Sequence, residues 1–140
     1  MGVPLVKANA YGNDFLLAPD DGSVADAPAF TRAVCSRHLG VGADGLILFT
    51  MADRRATMRL WNADGSASEL SGNGLRCLAA YVARVQDLGP NDVAVFQCGA
   101  CGHTAELPLS ALLRGLGLRP ADSCKKRPAA ISRQLPARSV

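Results

Sequence analysis

Ser71-Gly72-Asn73-Gly74 stands directly ahead of the clearest amphipathic pattern in the chain, where Leu75, Leu78, Ala79 and Val82 fall on one helical face. The chemistry open to such a junction is anion capture. First-turn N–H groups lack intrahelical partners and carry the positive end of the helix dipole. Gly72 and Gly74 allow a ligand to approach those amides, so a carboxylate suits the place. Asn73, with Asn62 upstream, adds neutral amides that donate and accept, as recognition of an amino acid requires. A second reading fits the same spacing: Ser71 is a plain N-cap and the glycines a tight turn. Both stand at this level.

Three other patterns carry less. Gly40-Val41-Gly42-Ala43-Asp44-Gly45 matches the dinucleotide-binding pattern in letters but not in context. That fingerprint needs a strand before it and a helix after it, whereas here a helix precedes and the apolar strand Leu46–Phe49 follows. It reads as a glycine-rich connection. Cys98 and Cys101 with His103 offer half of a zinc site, but Cys124 is the one later Cys or His, and structural zinc takes four ligands. No metal is expected. The basic C-terminal stretch could meet phosphates but has no aromatic to stack on bases, so nucleic-acid binding ranks lowest.

The elements that position these residues read as alternating α and β. Val3–Ala8 and Phe15–Ala18 are short apolar runs on either side of a polar loop. Asp26 caps a helix with Pro28 in its first turn, Phe30, Ala33, Val34 and Arg37 follow at helical spacing, and Gly40 suits the stop. Leu46–Phe49 is a buried strand, and Met58 and Leu60 alternate with Thr57, Arg59 and Trp61 as in a half-buried one. Asn62–Gly65 is a turn, the helix from Leu75 runs to about Gln86, and Asp92–Phe96 is a further strand.

Composition bounds the rest. The 140 residues suit one domain, and no uninterrupted apolar run reaches the roughly 18 residues of a membrane span. The start shows no secretory pattern, so a cytoplasmic protein with reduced thiols is expected. Charge and aromatics divide the chain near residue 97. Residues 1–96 hold eight Lys/Arg and ten Asp/Glu, residues 97–140 hold seven and two, and every aromatic lies at or before Phe96. The expected division is therefore 1–96 as the folded unit and 97–140 as a basic tail, disordered from Lys125 to Val140.

At these residues the sequence resembles the diaminopimelate epimerase family. Three blocks occur in order: Tyr11-Gly12-Asn13-Asp14-Phe15, then Arg37 to Gly45, then Asn62 to Cys77. The resemblance implies an α/β (α+β) half in which a mixed sheet wraps a central helix. It also implies cofactor-independent interconversion of LL- and meso-diaminopimelate, on the route to lysine and peptidoglycan, at a cleft between two such halves. Each half supplies one cysteine, and one thiolate removes the α-proton while the other thiol returns a proton to the opposite face. By position, Asn13, Asn62, Gly72 and Asn73 correspond to substrate-binding residues.

Two departures follow from that comparison. Ser71 stands where the family carries its thiol base, and a hydroxyl needs a base of its own to act. The second half has no counterpart after Phe96, so a truncated or frame-shifted product is expected, inactive alone and prone to associate, as a homodimer or otherwise, through the exposed half-interface. Competing functions are a one-base isomerase or dehydratase of a related fold, such as the proline racemase-like and phenazine-pathway enzymes, and a non-catalytic amino-acid-binding module. The partner expected throughout is a small amino acid, with neither nucleic acid nor membrane.

Overall fold

In a computed structural model of the chain, the described residues are 2–69, 71–89, 91–99, 102–110 and 130–136. The first hairpin sets the geometry of everything that follows. Strands β1 (Pro4–Ala10) and β2 (Asn13–Pro19) pair antiparallel, with Ala10 opposite Asn13. The two residues between them, Tyr11 and Gly12, both have positive φ, at 50° and 87°. That backbone matches the twist of a two-residue hairpin. Tyr11 is the unusual member, since a side chain seldom tolerates the left-handed region.

Two helices then act as crossovers between parallel strands. Helix α1 (Ala27–Cys35) leads from β2 to β3 (Gly45–Ala52), which pairs parallel to β2. Asp26 caps it as expected, accepting from the Ala29 N–H at 3.1 Å. The stop differs. The helix ends at Cys35, not near Gly40, because Ser36 takes extended backbone (φ −59°, ψ 123°). Gly40 matters for packing instead, since a Cβ there would collide with the backbone carbonyls of Ala33 and Val34. Gly42, at φ 87°, and Gly45, whose Cβ would lie 2.7 Å from the Trp61 carbonyl oxygen, complete a tight helix-to-strand passage. The glycine-rich segment thus serves close approach of backbone to backbone.

Strand β4 (Arg55–Asn62) returns antiparallel to β3, and the short β5 (Ala67–Ser68) pairs with its end. Helix α2 (Gly72–Val85) then crosses to β6 (Val93–Cys98), parallel to β4. Strands β7 (Thr104–Pro108) and β8 (Ala130–Pro136) follow. The sheet order is β7-β6-β4-β3-β2-β1-β8. Its mixed character, with helical crossovers, fits the α+β expectation.

Period-two alternation divides the core into two layers. Phe15, Leu17, Ile47, Phe49, Met58 and Leu60 face α2, where they meet Cys77, Leu78, Ala79 and Val82. Leu16, Ala18, Leu46 and Leu48 face the other way, against Ala27, Val34 and Cys35 of α1. Among the described residues no helix is long and apolar enough to cross a membrane.

The sheet does not end at residue 97, where charge and aromatic content change. That position falls inside β6, β7 pairs antiparallel with β6, and β8 pairs antiparallel with β1. The absence of strand expected from Lys125 onward is corrected at Ala130–Pro136. The physical reason is that β1 offers a free edge, whose backbone groups accept a strand of any composition. Residues 111–129 and 137–140, including Cys124 and most of the expected tail, lie outside the described residues, as does Cys101.

Candidate active site

The β1–β2 hairpin, the start of β3, the end of β4 and the start of α2 converge at one end of the sheet. Asn13 opens β2, and two residues on Phe15 pairs with Gly45, which in turn pairs with Asn62. Ser71 caps α2 with extended backbone (φ −91°, ψ 140°), and its Oγ accepts from the Gly74 N–H at 2.8 Å. The capping reading of this serine is therefore realised. Anion capture is not displaced by it. Among the described residues the N–H groups of Gly72 and Asn73 have no protein partner, and a Cβ placed on Gly72 meets nothing within 4 Å.

Asn13 and Asn73, sixty positions apart, touch directly: Asn73 Nδ2 donates to Asn13 Oδ1 at 2.6 Å. Asn13 Nδ2 donates to Asp44 Oδ2 at 3.2 Å, and Asn73 Oδ1 accepts from Arg76 Nη1 at 2.6 Å. Asn62 is at the same end of the sheet but makes a separate contact. Its Nδ2 donates to Ser66 Oγ at 3.0 Å, and the Ser66 hydroxyl donates to Asp64 at 2.6 Å. Of the expected residues, then, Asn13, Gly72, Asn73 and Ser71 form one group, with Asn62 beside it rather than in it.

Spacing does not single out Asp14, Arg37, Asp44, Arg76 or Tyr11 as site residues, yet all five are here. Arg37 binds Asp14 with two hydrogen bonds (3.0 and 2.8 Å) and reaches Asp44 Oδ1 at 3.1 Å. Lys7 Nζ lies 3.3 Å from the same Asp14 carboxylate. The Arg76 guanidinium stands 4.7 Å above the Tyr11 ring, a cation–π arrangement that pins the strained hairpin residue. The one signal available for them is their place inside the same three sequence blocks.

The Arg37 guanidinium holds the Asp14 carboxyl well below the usual carboxylate range. Lys7 acts in the same sense, and partial burial acts against both. Since the folded value lies below the unfolded one, near 3.9, the unfolded chain binds more protons in between. The stabilisation is complete above about pH 4 and is lost as pH falls through the depressed folded value. Melting temperatures measured from pH 7 to pH 2 should fall steeply below about pH 4. Asp14→Asn should lower the neutral-pH value and flatten that acid limb; a limb parallel to that of the unaltered protein would show that another carboxylate governs it.

Neither core cysteine is poised for chemistry. Cys77 is fully buried on the inner face of α2, and burial pushes its thiol up to about 12. Burial, followed by the Asp14 charge, does the same to Cys35. Among the described residues no carboxylate or imidazole hydrogen-bonds to the Ser71 hydroxyl. A cavity of about 280 Å³ elsewhere on the sheet, lined by Met58, Arg59, Trp61, Ser68, Cys98 and Gly99, includes none of the expected residues.

This architecture has a counterpart among solved structures. A phenazine biosynthesis protein of the PhzF family from Enterococcus faecalis superposes with a TM-score of 0.53 at 11% identity, over 77% of this chain and 40% of that one. It establishes the class of fold, a PhzF-like α+β half, and nothing about chemistry. Sequence supplies the rest. The diaminopimelate epimerase family model matches residues 5–96. The diaminopimelate epimerase of Microcystis aeruginosa is 44% identical over 92 residues, which are 61% of this chain and 32% of that protein. That of Moorella thermoacetica is 48% identical over 80 residues, 55% of this chain and 29% of its own length. This chain belongs to the diaminopimelate epimerase family, and it spans about a third of the length of these relatives.

Proposed function

We propose that this chain supplies one side of a cytoplasmic amino-acid epimerase site whose substrate is diaminopimelate. The observation that supports the reading is the Asn13–Asn73 contact at the open start of α2, where the backbone N–H groups of Gly72 and Asn73 have no partner among the described residues. Asn13, Asn62, Gly72 and Asn73 bind the amino acid. The helix N-terminus takes its α-carboxylate and favours the charge that builds there as the α-proton leaves. Residues 1–96 carry this function, and no cofactor is invoked. Inversion needs an acid on the opposite face of the α-carbon. That group comes from a second protein surface docked over this end, where Tyr11 is 42% exposed.

Ser71 occupies the position of the base. Its engagement as a cap, with no described group to activate it, favours a second reading in which the site binds an amino acid without turning it over. Calorimetry of the 140-residue chain with meso-diaminopimelate tests the shared part of both. Binding is expected for the unaltered protein and loss of most of it in Asn73→Ala, with pimelate, the same diacid without the ammonium groups, binding more weakly. Equal heats for the protein and its Asn73→Ala variant would remove this region as the ligand site.

A further inference from the structure

The two site amides stand in a sequence of hydrogen bonds that only one orientation of each satisfies. A carboxylate accepts and cannot donate, so Asp44 Oδ2 must face Asn13 Nδ2. Asn13 then turns its Oδ1 to Asn73, which must answer with Nδ2. Asn73 Oδ1 is left for Arg76, whose guanidinium donates and cannot accept. Flipping either amide would set oxygen against oxygen on one side and N–H against N–H on the other. Both ends of the relay are themselves held. Asp44 receives Arg37 Nη2 and the Asp14 N–H, each at 3.1 Å. Arg76 rests on the Tyr11 ring and, among the described residues, forms no ion pair that would draw its guanidinium away from Asn73.

We propose that Asp44 and Arg76 are positioning residues that polarise the Asn13–Asn73 pair, leaving each amide one uncommitted Nδ2 hydrogen to offer a carboxylate. The inference rests on the reading of this end as an amino-acid site. Asn62 is set the opposite way. Because the Ser66 hydroxyl hydrogen goes to Asp64, Asn62 must give Nδ2 to Ser66, and its Oδ1 is left to accept from an ammonium. Asn13 and Asn73, their oxygens engaged, can therefore only donate to a ligand, whereas Asn62 can also accept, in an order fixed by residues that need not touch the ligand.

Nuclear magnetic resonance of the side-chain amides in the ligand-free 140-residue chain tests this. Asp44→Ala should shift the Nδ2 signals of both Asn13 and Asn73 and speed solvent exchange of the Asn73 bonded hydrogen about tenfold, with Asn62 unmoved. Asp44→Asn, which keeps the side chain's shape, should give the same paired shift at smaller amplitude. Arg76→Met should produce it from the other end, and Arg76→Lys, which restores a donor, should reverse most of it. A shift confined to the nearer asparagine, or one of equal size at Asn62, overturns the relay. With meso-diaminopimelate added, Arg76→Met should bind about tenfold more weakly and Arg76→Lys close to normally; equal affinity in all three overturns the positioning role. If the unaltered protein does not bind, the substrate reading fails, and the ligand-free amides still decide the relay.

Discussion

Ser71→Cys is expected to raise the rate of α-proton exchange from diaminopimelate by roughly 10²–10⁴-fold, the usual worth of a competent general base. The position already has what a thiol base needs. It caps a fourteen-residue helix, its backbone is extended, and the two N–H groups that follow it have no partner among the described residues. A thiol at a helix N-terminus falls below its ordinary value near 8.5 and is partly ionised at neutral pH. The hydroxyl now present accepts from Gly74 and has no described base to relieve it of its proton. Loss of the oxygen cap should cost about 1 kcal/mol of stability, which leaves the protein folded. The measurement is loss of the α-hydrogen signal in deuterium oxide. Exchange on the chain by itself should proceed with retention, because only one face of the carbon is served. Equal rates for the unaltered protein and the S71C variant would mean that this residue does not face the α-carbon.

Leu78→Ala should give the largest loss of stability, about 2–5 kcal/mol. Leu78 is 0% exposed and sits where α2 meets Ile47, Phe49 and Leu60 of the sheet. Removing its branched end leaves a cavity that strands on one side and a helix on the other cannot both close. Set against a typical total of about 5–15 kcal/mol, that change alone makes the fold marginal. Urea titration should show the midpoint falling with an unchanged slope. Val85→Ala on the exposed side of the same helix, where the side chain is 53% exposed, should stay within about 0.5 kcal/mol. Similar losses in the two variants would contradict the placement of α2.

The same helix shows how much is legible in the sequence alone. Its 3.6-residue apolar period and its Ser-Gly-Asn-Gly start are local signals, and both the helix and its cap lie where they predict. Asp26, β3 and the alternating β4 are legible for the same reason. The end of α1 is not, since it depends on Ser36 turning extended and on Gly40 packing under carbonyls of the preceding turn. Strands β7 and β8 escape a local reading because they take their order from pairing with β6 and β1. At the site, the types and positions of Asn13, Asn62 and Asn73 are readable, but their grouping is not. The contact of Asn13 with Asn73 closes sixty residues of chain, and the roles of Asp44 and Arg76 exist only once that loop is closed.

Strand β1 is bordered by β2 on one side and by β8 on the other, with Pro4 opposite Pro136. On the ribosome, one side of this strand finds its neighbour within a dozen residues, while the other must wait until Pro136 has been made. Throughout that interval a row of backbone amides and carbonyls stands open to any passing extended peptide. The nascent polypeptide is thus open to capture at a segment it makes early, and chaperone shielding of that edge should matter to its yield as well as its final thermal resistance.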